Sequence, residues 1–342
     1  MRARSALAGF TLVPGKAERY GDEVFFREAW RDIEVIAGDQ AEEIAHAHAL
    51  ILFKPDGIAG RATQPALELL EEQGFVPVGG AVVELDRSLT RWLWLYRFNV
   101  ASVERVWLHD MINSRSPSLL VALRDQLAEP SRSIPATVRL TDQKGPSRPE
   151  RRRPDQLRAR LGVSDRLINF VHTSDEPADL VREIGILLDP PARKAVIEQM
   201  LRGEAWPAEL IEQRRTLEEG VPAQSFELPT ALGNICRQAR EFALTSDSGS
   251  AKGRWSNLAK LASTTQADDA AALTTLWMQL REQVDLFDPW DVISIGTWAI
   301  DHDESGVEKQ TLGDAPPAIW RDSLLSVAVG LGHTDSRQGA RH

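Results

Sequence analysis

Cysteine is almost absent from this sequence, since Cys236 is the only one in 342 residues. A single cysteine excludes an intramolecular disulfide and favours a reducing compartment. The chain also lacks any apolar run near the ~20 residues that a membrane-spanning helix needs. The apolar part of the amino terminus is short and is broken by Pro14, so it does not predict a signal peptide. These absences predict a cytoplasmic protein without a membrane segment.

Positive charge is in deficit. The 40 lysines and arginines stand against 50 aspartates and glutamates, for a formal net charge of −10. Nucleic-acid binding by the whole molecule is therefore not expected. A basic run from Arg148 to Arg153 could meet a triphosphate or RNA, but such a run is usually a solvated loop. The length allows two domains or one elaborated domain.

The stretch at 169–184 carries the clearest chemical signal, Asn-Phe-Val-His-Thr-Ser-Asp-Glu-Pro-Ala-Asp-Leu-Val-Arg-Glu-Ile. Its first residues predict a buried strand, and the polar residues and Pro177 after it predict a helix start. His172 is therefore expected at a strand-to-helix turn. Glu183 borders the apolar stripe of the helix, so its carboxylate could hold one ring nitrogen of His172 and leave the other as a nucleophile. A histidine satisfied by a helix cap is the competing interpretation.

A second stretch combines a strand with a phosphate-binding residue type. The apolar run Ala49–Phe53 predicts a central buried strand, and Lys-Pro-Asp-Gly at 54–57 predicts a loop after it. A lysine at the end of such a strand is placed to meet phosphate oxygens. The competing interpretation of Lys54 is an ordinary solvated lysine in a turn.

Both stretches resemble motifs of the nucleoside diphosphate kinase family, over about residues 48–189. The family's active-site pattern is Asn-x-x-His-Gly-Ser-Asp, followed later by Arg-Glu-Ile. The positions that match it in register are Asn169, His172, Ser174, Asp175, Arg182, Glu183 and Ile184. Thr173 departs from the pattern, because the family has Gly there and a β-branched residue allows less backbone freedom. The family also opens its fold with an apolar strand and Lys-Pro-Asp, whose lysine contacts the transferred phosphate.

The resemblance implies a phosphotransferase that moves the γ-phosphate of a nucleoside triphosphate to a nucleoside diphosphate through phospho-His172. Glu183 would orient the imidazole, and Ser174 would hold Glu183 or the turn. The residues implied to contact the nucleotide or its phosphates are Lys54, Arg158, Asn169, Tyr96 and Arg105. Mg²⁺ is expected with the nucleotide, and no side chain is implied as a metal ligand. The homo-oligomer typical of the family is a further expectation.

Two parts of the implied nucleotide site depart from the family. Arg105 falls where the family stacks the base on a phenylalanine, and either Arg105 or Trp107 could stack on a base. Tyr96 lies one residue out of register with the family's tyrosine. The loop before Leu167 is longer than usual, with Lys144-Gly-Pro in place of Thr-Asn-Pro, so the family's phosphate-binding threonine has no clear counterpart.

The predicted fold is α+β, with three parts. Residues 1–47 form an extension, 48–189 a ferredoxin-like βαββαβ antiparallel sheet, and 190–342 a mainly α-helical region. The pattern at 24–36 leaves open a strand pair or a helix followed by a strand. Helices are predicted at 195–202, 207–219, 228–244, 267–286 and 316–331, a polar linker at 245–251 and a strand at 292–300.

The run Asp301–Glu304 invites a metal interpretation. Consecutive residues of a strand point to opposite faces and do not readily converge on one ion, so a solvated turn is favoured.

A second hypothesis is a catalytically weak or inactive nucleotide-binding or regulatory module whose helical region mediates interactions. The altered base site, the missing threonine and Thr173 favour it. The joint presence of His172, Glu183, Asn169 and Lys54 favours the enzyme.

Overall fold

A four-stranded antiparallel sheet lies at the centre of the computed structural model, which describes residues 2–129 and 133–325. In chain order β1 to β4 are His48–Phe53, Phe75–Val83, Ser118–Asp125 and Val171–Thr173. The strand order across the sheet is β2-β3-β1-β4. β1 is therefore interior, and all six of its residues are buried, as its continuous apolar run predicts. β4 pairs with β1 so that His172 lies opposite Leu52.

Four helices precede the sheet. In chain order α1 to α4 are Arg2–Phe10, Lys16–Asp22, Val24–Ala37 and Ala41–Ala47. Both alternatives for 24–36 are wrong, because α3 is one helix of 14 residues. Its buried positions recur at helical spacing and are Phe26, Ala29, Trp30, Ile33 and Ala37. The apolar residues near its end divide between two faces, since Ile33 is buried and Val35 is exposed.

Seven α-helices lie between β1 and Leu187 in the part of the chain that the structure describes. In chain order α5 to α11 are Pro55–Ala59, Thr63–Glu71, Arg87–Leu93, Val103–Asn113, Ala136–Lys144, Leu157–Arg160 and Pro177–Leu187. Two of them, α7 and α8, begin with a side-chain cap. The Asp86 carboxylate accepts a hydrogen bond from the Leu89 amide at 2.7 Å, and Ser102 Oγ accepts one from the Arg105 amide at 3.1 Å.

The remaining region is helical. In chain order α12 to α17 are Pro190–Arg202, Ala208–Gly220, Leu228–Thr245, Gly249–Thr264, Ala270–Arg281 and Pro289–Ala299. Residues 317–325 are also helical, and 326–331 of the predicted closing helix lie outside the described residues. The predicted linker at 245–251 is too long, since α14 and α15 are separated only by residues 246–248. No helix among the described residues is long and apolar enough to cross a bilayer.

The predicted strand at 292–300 is wrong, because these residues belong to α17. Asp288 caps this helix by accepting a hydrogen bond from the Trp290 amide at 2.8 Å, and Pro289 occupies its first turn. Residues 290–297 are all buried. A helix buried on every side is apolar throughout, so its β-branched run resembles an interior strand.

Three apolar cores hold these elements together. Leu50 and Leu52 of β1 face a core shared with α3, α11 and α12. Ile51 and Phe53 face the opposite side, where α6, α9, α10 and α13 cover the sheet. The third core joins α8 to helices α14 to α17. The helical region thus packs directly against α8, the helix that leads into β3.

Candidate active site

His172 and Glu183 are joined by a hydrogen bond of the predicted kind. β4 holds His172 at its middle position, and α11 carries Glu183 back beside it. His172 Nε2 lies 2.9 Å from Glu183 Oε1, and Ser174 Oγ donates to Glu183 Oε2 at 2.6 Å. With Nε2 as the donor, Nδ1 of the same ring keeps its lone pair. The arrangement suits a nucleophilic imidazole.

The loop before His172 is fixed by the residues that follow β1. The Asp56 carboxylate accepts a hydrogen bond from the Phe170 amide at 2.8 Å, and the Lys54 amide donates to the Phe170 carbonyl at 3.0 Å. Phe170 has a φ of 68°, which is uncommon for a residue other than glycine. A Cβ at Gly57 would lie 2.6 Å from the Phe170 carbonyl oxygen, so only glycine fits there. The predicted loop at 54–57 is wrong, because Pro55–Ala59 form α5 with a proline in the first turn. The sequence does not predict the contact with Phe170.

Lys54 is not a solvated turn residue, since its side chain is 2% exposed. Its ammonium donates to the Leu167 carbonyl at 2.9 Å and to the Asp56 carboxylate at 3.3 Å. Burial lowers the pKa of Lys54, although the charge of Asp56 opposes this effect. An incoming anion would therefore meet an ammonium that water solvates poorly.

Arg158 and Asn169 lie together. The buried guanidinium of Arg158 donates to the carbonyls of Val171 at 2.6 Å and Gly145 at 2.9 Å, and to Asn169 Oδ1 at 3.3 Å. Burial, together with the charge of Arg152, lowers the pKa of Arg158 to about 9. Carbonyl oxygens satisfy its donors without neutralising its charge, so Arg158 keeps a positive field for a phosphate.

One cleft of about 1160 Å³ brings most of the predicted site residues together. His172, Lys54, Arg158, Asn169 and Arg105 all line it. The cleft is lined by both polar and apolar side chains, and this lining and its volume suit a small polar ligand.

Tyr96 does not line this cleft. It contributes with His172 to a separate cavity of about 20 Å³, and its hydroxyl donates to Glu23 of the helical extension at 2.6 Å. Burial and this contact raise the pKa of Tyr96 to about 12. Tyr96 therefore faces the extension rather than the phosphate-binding side chains.

The residues predicted to stack on a base are also engaged elsewhere. The Arg105 guanidinium lies 3.5 Å from the Asp303 carboxylate. Trp107 packs against Trp277 of the helical region, with ring centroids 5.5 Å apart. Trp94 and Phe98 line the cleft instead and each contact the His109 ring. These two rings lie in the cleft beside valine, alanine and proline residues, and the sequence did not single them out.

Lys144 is the principal site residue that the sequence interpretation missed. Its ammonium lines the cleft, donates to Thr173 Oγ1 at 2.7 Å and lies 3.7 Å from the Asp175 carboxylate. Burial lowers the pKa of Lys144 to about 8, although Asp175 opposes it. Thr173, which replaces the expected glycine, thus holds a cation beside His172. The available signal was a lysine in the last turn of a helix, before Gly145 with its φ of 82°.

Asp175 is held by two cations of the cleft. It forms ion pairs with Arg97 and Lys144. Burial would raise the pKa of Asp175, but the charges of Arg97 and Lys144 outweigh it and hold the pKa well below its usual value. Arg97 also pairs with Asp314 at 2.7 Å, so a segment after α17 reaches the same site.

Asp303 in the turn after α17 is bound by arginines. Its carboxylate accepts hydrogen bonds from Arg148 and Arg166, while Asp301 and Glu304 are exposed as the turn interpretation expects. No group of three or more His, Cys, Asp or Glu side chains suited to a metal ion occurs in residues 2–129 and 133–325.

The basic run from Arg148 to Arg153 is only partly solvated, because Arg152 donates to four backbone carbonyls.

Several solved nucleoside diphosphate kinases match part of the chain. The enzyme of Aquifex aeolicus is 21% identical, over 42% of this chain and 96% of its own, with a TM-score of 0.35. That of Encephalitozoon cuniculi is 18% identical, over 43% of this chain and 91% of its own, with a TM-score of 0.36. That of Borrelia burgdorferi is 20% identical, over 42% of this chain and 88% of its own, with a TM-score of 0.34. No curated protein matches the chain.

The family model for nucleoside diphosphate kinase matches residues 47–192. The match contains the strand that ends at Lys54, the cleft residues Arg158 and Asn169, and the pair of His172 and Glu183. Its limits lie within three residues of those that the sequence motifs suggested, 48 and 189. Residues 47–192 of this chain are therefore a nucleoside diphosphate kinase-like domain.

Proposed function

We propose that the chain transfers the γ-phosphate of a nucleoside triphosphate to a nucleoside diphosphate through a phosphohistidine at His172. The observation that carries this proposal is the hydrogen bond between His172 and Glu183 at a cleft that also contains Lys54 and Arg158. A histidine that merely capped a helix would not need a carboxylate on one nitrogen and a cationic cleft beside the ring.

In the first half-reaction, the Nδ1 lone pair of His172 forms a bond to the γ-phosphorus. The bond from that phosphorus to the β–γ bridging oxygen breaks, and the nucleoside diphosphate leaves with the electron pair. Glu183 accepts the hydrogen bond from Nε2 and offsets the positive charge that develops on the ring. The second half-reaction is the reverse, with a different diphosphate as the acceptor.

The remaining residues act by positioning and charge neutralisation. Lys54, Arg158 and Lys144 offset phosphate charge, and Asn169 contacts the sugar hydroxyl. Magnesium enters as part of the substrate, bound to phosphate oxygens, where it neutralises charge. Asp175, the carboxylate that lines the cleft beside His172, is already paired with Arg97 and Lys144, which fits a metal carried by the nucleotide.

Phosphorylation of His172 is the direct test. The full chain is incubated with Mg²⁺ and ATP labelled on its γ-phosphate, quenched, and assayed for label that is labile to acid and stable to base. His172→Ala should lose the label and the exchange of γ-phosphate, yet still bind nucleotide because the phosphate ligands remain. Equal labelling of the two proteins would overturn the mechanism.

A second candidate is a nucleotide-binding or regulatory module. The observation that favours it is the pairing of cleft cations with carboxylates of the segment after α17, Arg97 with Asp314 and Arg148 with Asp303. A module of this kind would bind nucleotide without any exchange. The labelling assay separates the two functions.

Other features are proposed on the same basis. The sheet order is compatible with the expected ferredoxin-like arrangement, and we keep 1–47, 48–189 and 190–342 as the proposed division of the chain. A cytoplasmic location is retained as an expectation from the sequence, and a homo-oligomer as one from the resemblance. The size of the particle in solution tests the latter.

A further inference from the structure

The cleft at His172 carries excess positive charge, although the chain as a whole is negative. Ten lysine and arginine side chains line it among the described residues, against five aspartates and glutamates. The chain has a formal net charge of −10. Part of the excess lies away from Lys54 and Arg158, in a cluster of Arg105, Arg148 and Arg166, called here the arginine cluster.

The arginine cluster already binds one carboxylate. Arg166 holds Asp303 with both terminal nitrogens, at 2.5 and 3.0 Å, and Arg148 donates to it at 2.8 Å. Arg105 is farther away, at 3.5 Å. Paired N–H donors of this kind bind phosphate as well as carboxylate. One carboxylate balances only one of the three charges.

The cluster keeps unused capacity for an anion. The Nε atoms of Arg105 and Arg166 are buried and have no hydrogen-bond partner in the described part of the chain. Burial and the charge of Arg166 lower the pKa of Arg105 to about 10, more than Asp303 raises it. Its positive charge is therefore incompletely neutralised by its surroundings.

Aromatic rings that line the cleft connect the arginine cluster to His172. The His172 ring is 5.4 Å from the Trp94 ring, which is 5.3 Å from the His109 ring. Arg105 precedes His109 by one turn of α8, a rise of about 6 Å. A ligand that runs from His172 along these rings to Arg105 would be extended.

We propose that the cleft binds an extended ligand with phosphate at both ends, one end at His172 and the other at the arginine cluster. The second phosphate takes over the arginine hydrogen bonds that Asp303 now makes. The contact of one phosphate with His172 rests on the proposed function, whereas the contact of the other phosphate with the arginine cluster does not. A nucleotide phosphorylated on its sugar and a chain of inorganic polyphosphate share this chemistry.

Paired ligands test the proposal in the full chain by titration calorimetry. ADP is compared with ADP that carries a 3′-phosphate, and tripolyphosphate with a polyphosphate of about ten units. In at least one pair, the longer anion should bind about tenfold tighter. The pair that shows this gain identifies the source of the second phosphate.

Three variants test whether the gain in affinity arises at the arginine cluster. Arg148→Met should reduce it to about twofold or less, whereas Arg153→Met, which removes a cleft cation outside the cluster, should keep it. Asp303→Asn should increase the gain, because the cluster loses its internal carboxylate. Because Asp303→Asn is expected to increase the gain and Arg148→Met to reduce it, the test still decides the question if an arginine variant folds poorly.

The proposal is overturned if neither longer ligand gains affinity in the wild type, if the gain persists in Arg148→Met, or if no ligand binds. A labelled His172 without any gain would leave the proposed function standing and end this inference. A gain without labelling would support the inference and end the phosphohistidine mechanism.

Discussion

The two oxygens of Glu183 have different partners, His172 on one and Ser174 on the other. Glu183→Gln should keep a hydrogen bond to the ring but lose the charge that stabilises it during transfer. We expect the rate of His172 labelling to fall about a hundredfold, with nucleotide affinity unchanged. Rapid-quench labelling beside ADP titration measures both quantities. An unchanged rate would show that the carboxylate only positions the ring.

Lys144 predicts a pH dependence. Its pKa of about 8 lies below the ordinary value of 10.5, because burial outweighs Asp175 while Arg158 and Arg97 add to the effect. The charge of Glu183 opposes the shift. As the pH rises through about 8, Lys144 loses its proton and ADP affinity should fall about tenfold. Lys144→Met should lack this step, and the exposed-site variant Lys194→Met should retain it.

As the pH rises, Lys144 should increase the stability of the fold while it lowers the affinity for ADP. Between about pH 8 and 10.5 the unfolded chain binds more protons at Lys144 than the folded chain does. Its contribution to the free energy of unfolding therefore rises with pH across this window. A parallel loss of affinity and stability in this range would contradict the assignment, and urea unfolding at two pH values measures the second quantity.

At the scale of elements, α11 and α3 pack so closely that only glycine fits between them. A Cβ at Gly185 would lie 2.2 Å from the Phe25 carbonyl oxygen and 3.2 Å from the Ala29 Cβ. Gly185→Ala should force the helices apart and lower the free energy of unfolding by about 1–3 kcal/mol. The shift of α11 should also slow His172 labelling, since Glu183 lies on this helix.

Gly233→Ala is the matched control, because nothing lies within 4 Å of a Cβ at that helical position. Its stability should stay the same or rise slightly, since alanine favours the helix. Equal destabilisation by both variants, measured by urea unfolding, would show that close packing at Gly185 is not the cause.

Local hydrophobic patterns predict helices and strands correctly where the pattern matches the burial of the side chains. The strand before Lys54, the strand at His172 and the helix that begins at Pro177 all follow from short-range signals. His172 itself lies in the middle of β4, before the turn where it is expected. The pattern at 292–300 predicts a strand where the structure has α17, because full burial removes the polar positions that reveal a helical period. The cap at Asp288 and Pro289 was the signal that could have corrected it.

Contacts across the whole chain could not be read from local patterns. Glu176, at the start of α11, is fully buried and accepts hydrogen bonds from Thr11, Lys16 and Trp320, between 144 and 165 residues away. Spacing along the sequence carries no information about such partners. Residues on both sides of 48–189 therefore hold the helix that carries Glu183, which the motifs within 48–189 do not indicate.

Lys16 is the centre of this long-range contact. Its ammonium lies 2.8 Å from both the Glu176 and the Asp179 carboxylates, with 3% of the side chain exposed. Burial would lower the pKa of Lys16, but the two carboxylates raise it well above its ordinary value. The lysine thus stays charged, and its removal leaves two buried carboxylates without their cation.

Lys16→Met should therefore lower the free energy of unfolding by about 3–5 kcal/mol. Lys194→Met, which breaks an exposed pair with Glu198, should change it by less than about 1 kcal/mol. Because Glu176 caps α11, Lys16→Met should also lower His172 labelling at temperatures where the protein is still folded. Urea unfolding followed by circular dichroism, with labelling on the same samples, measures both effects. Equal stability of the two variants would mean that the extension packs against the kinase-like domain without stabilising it.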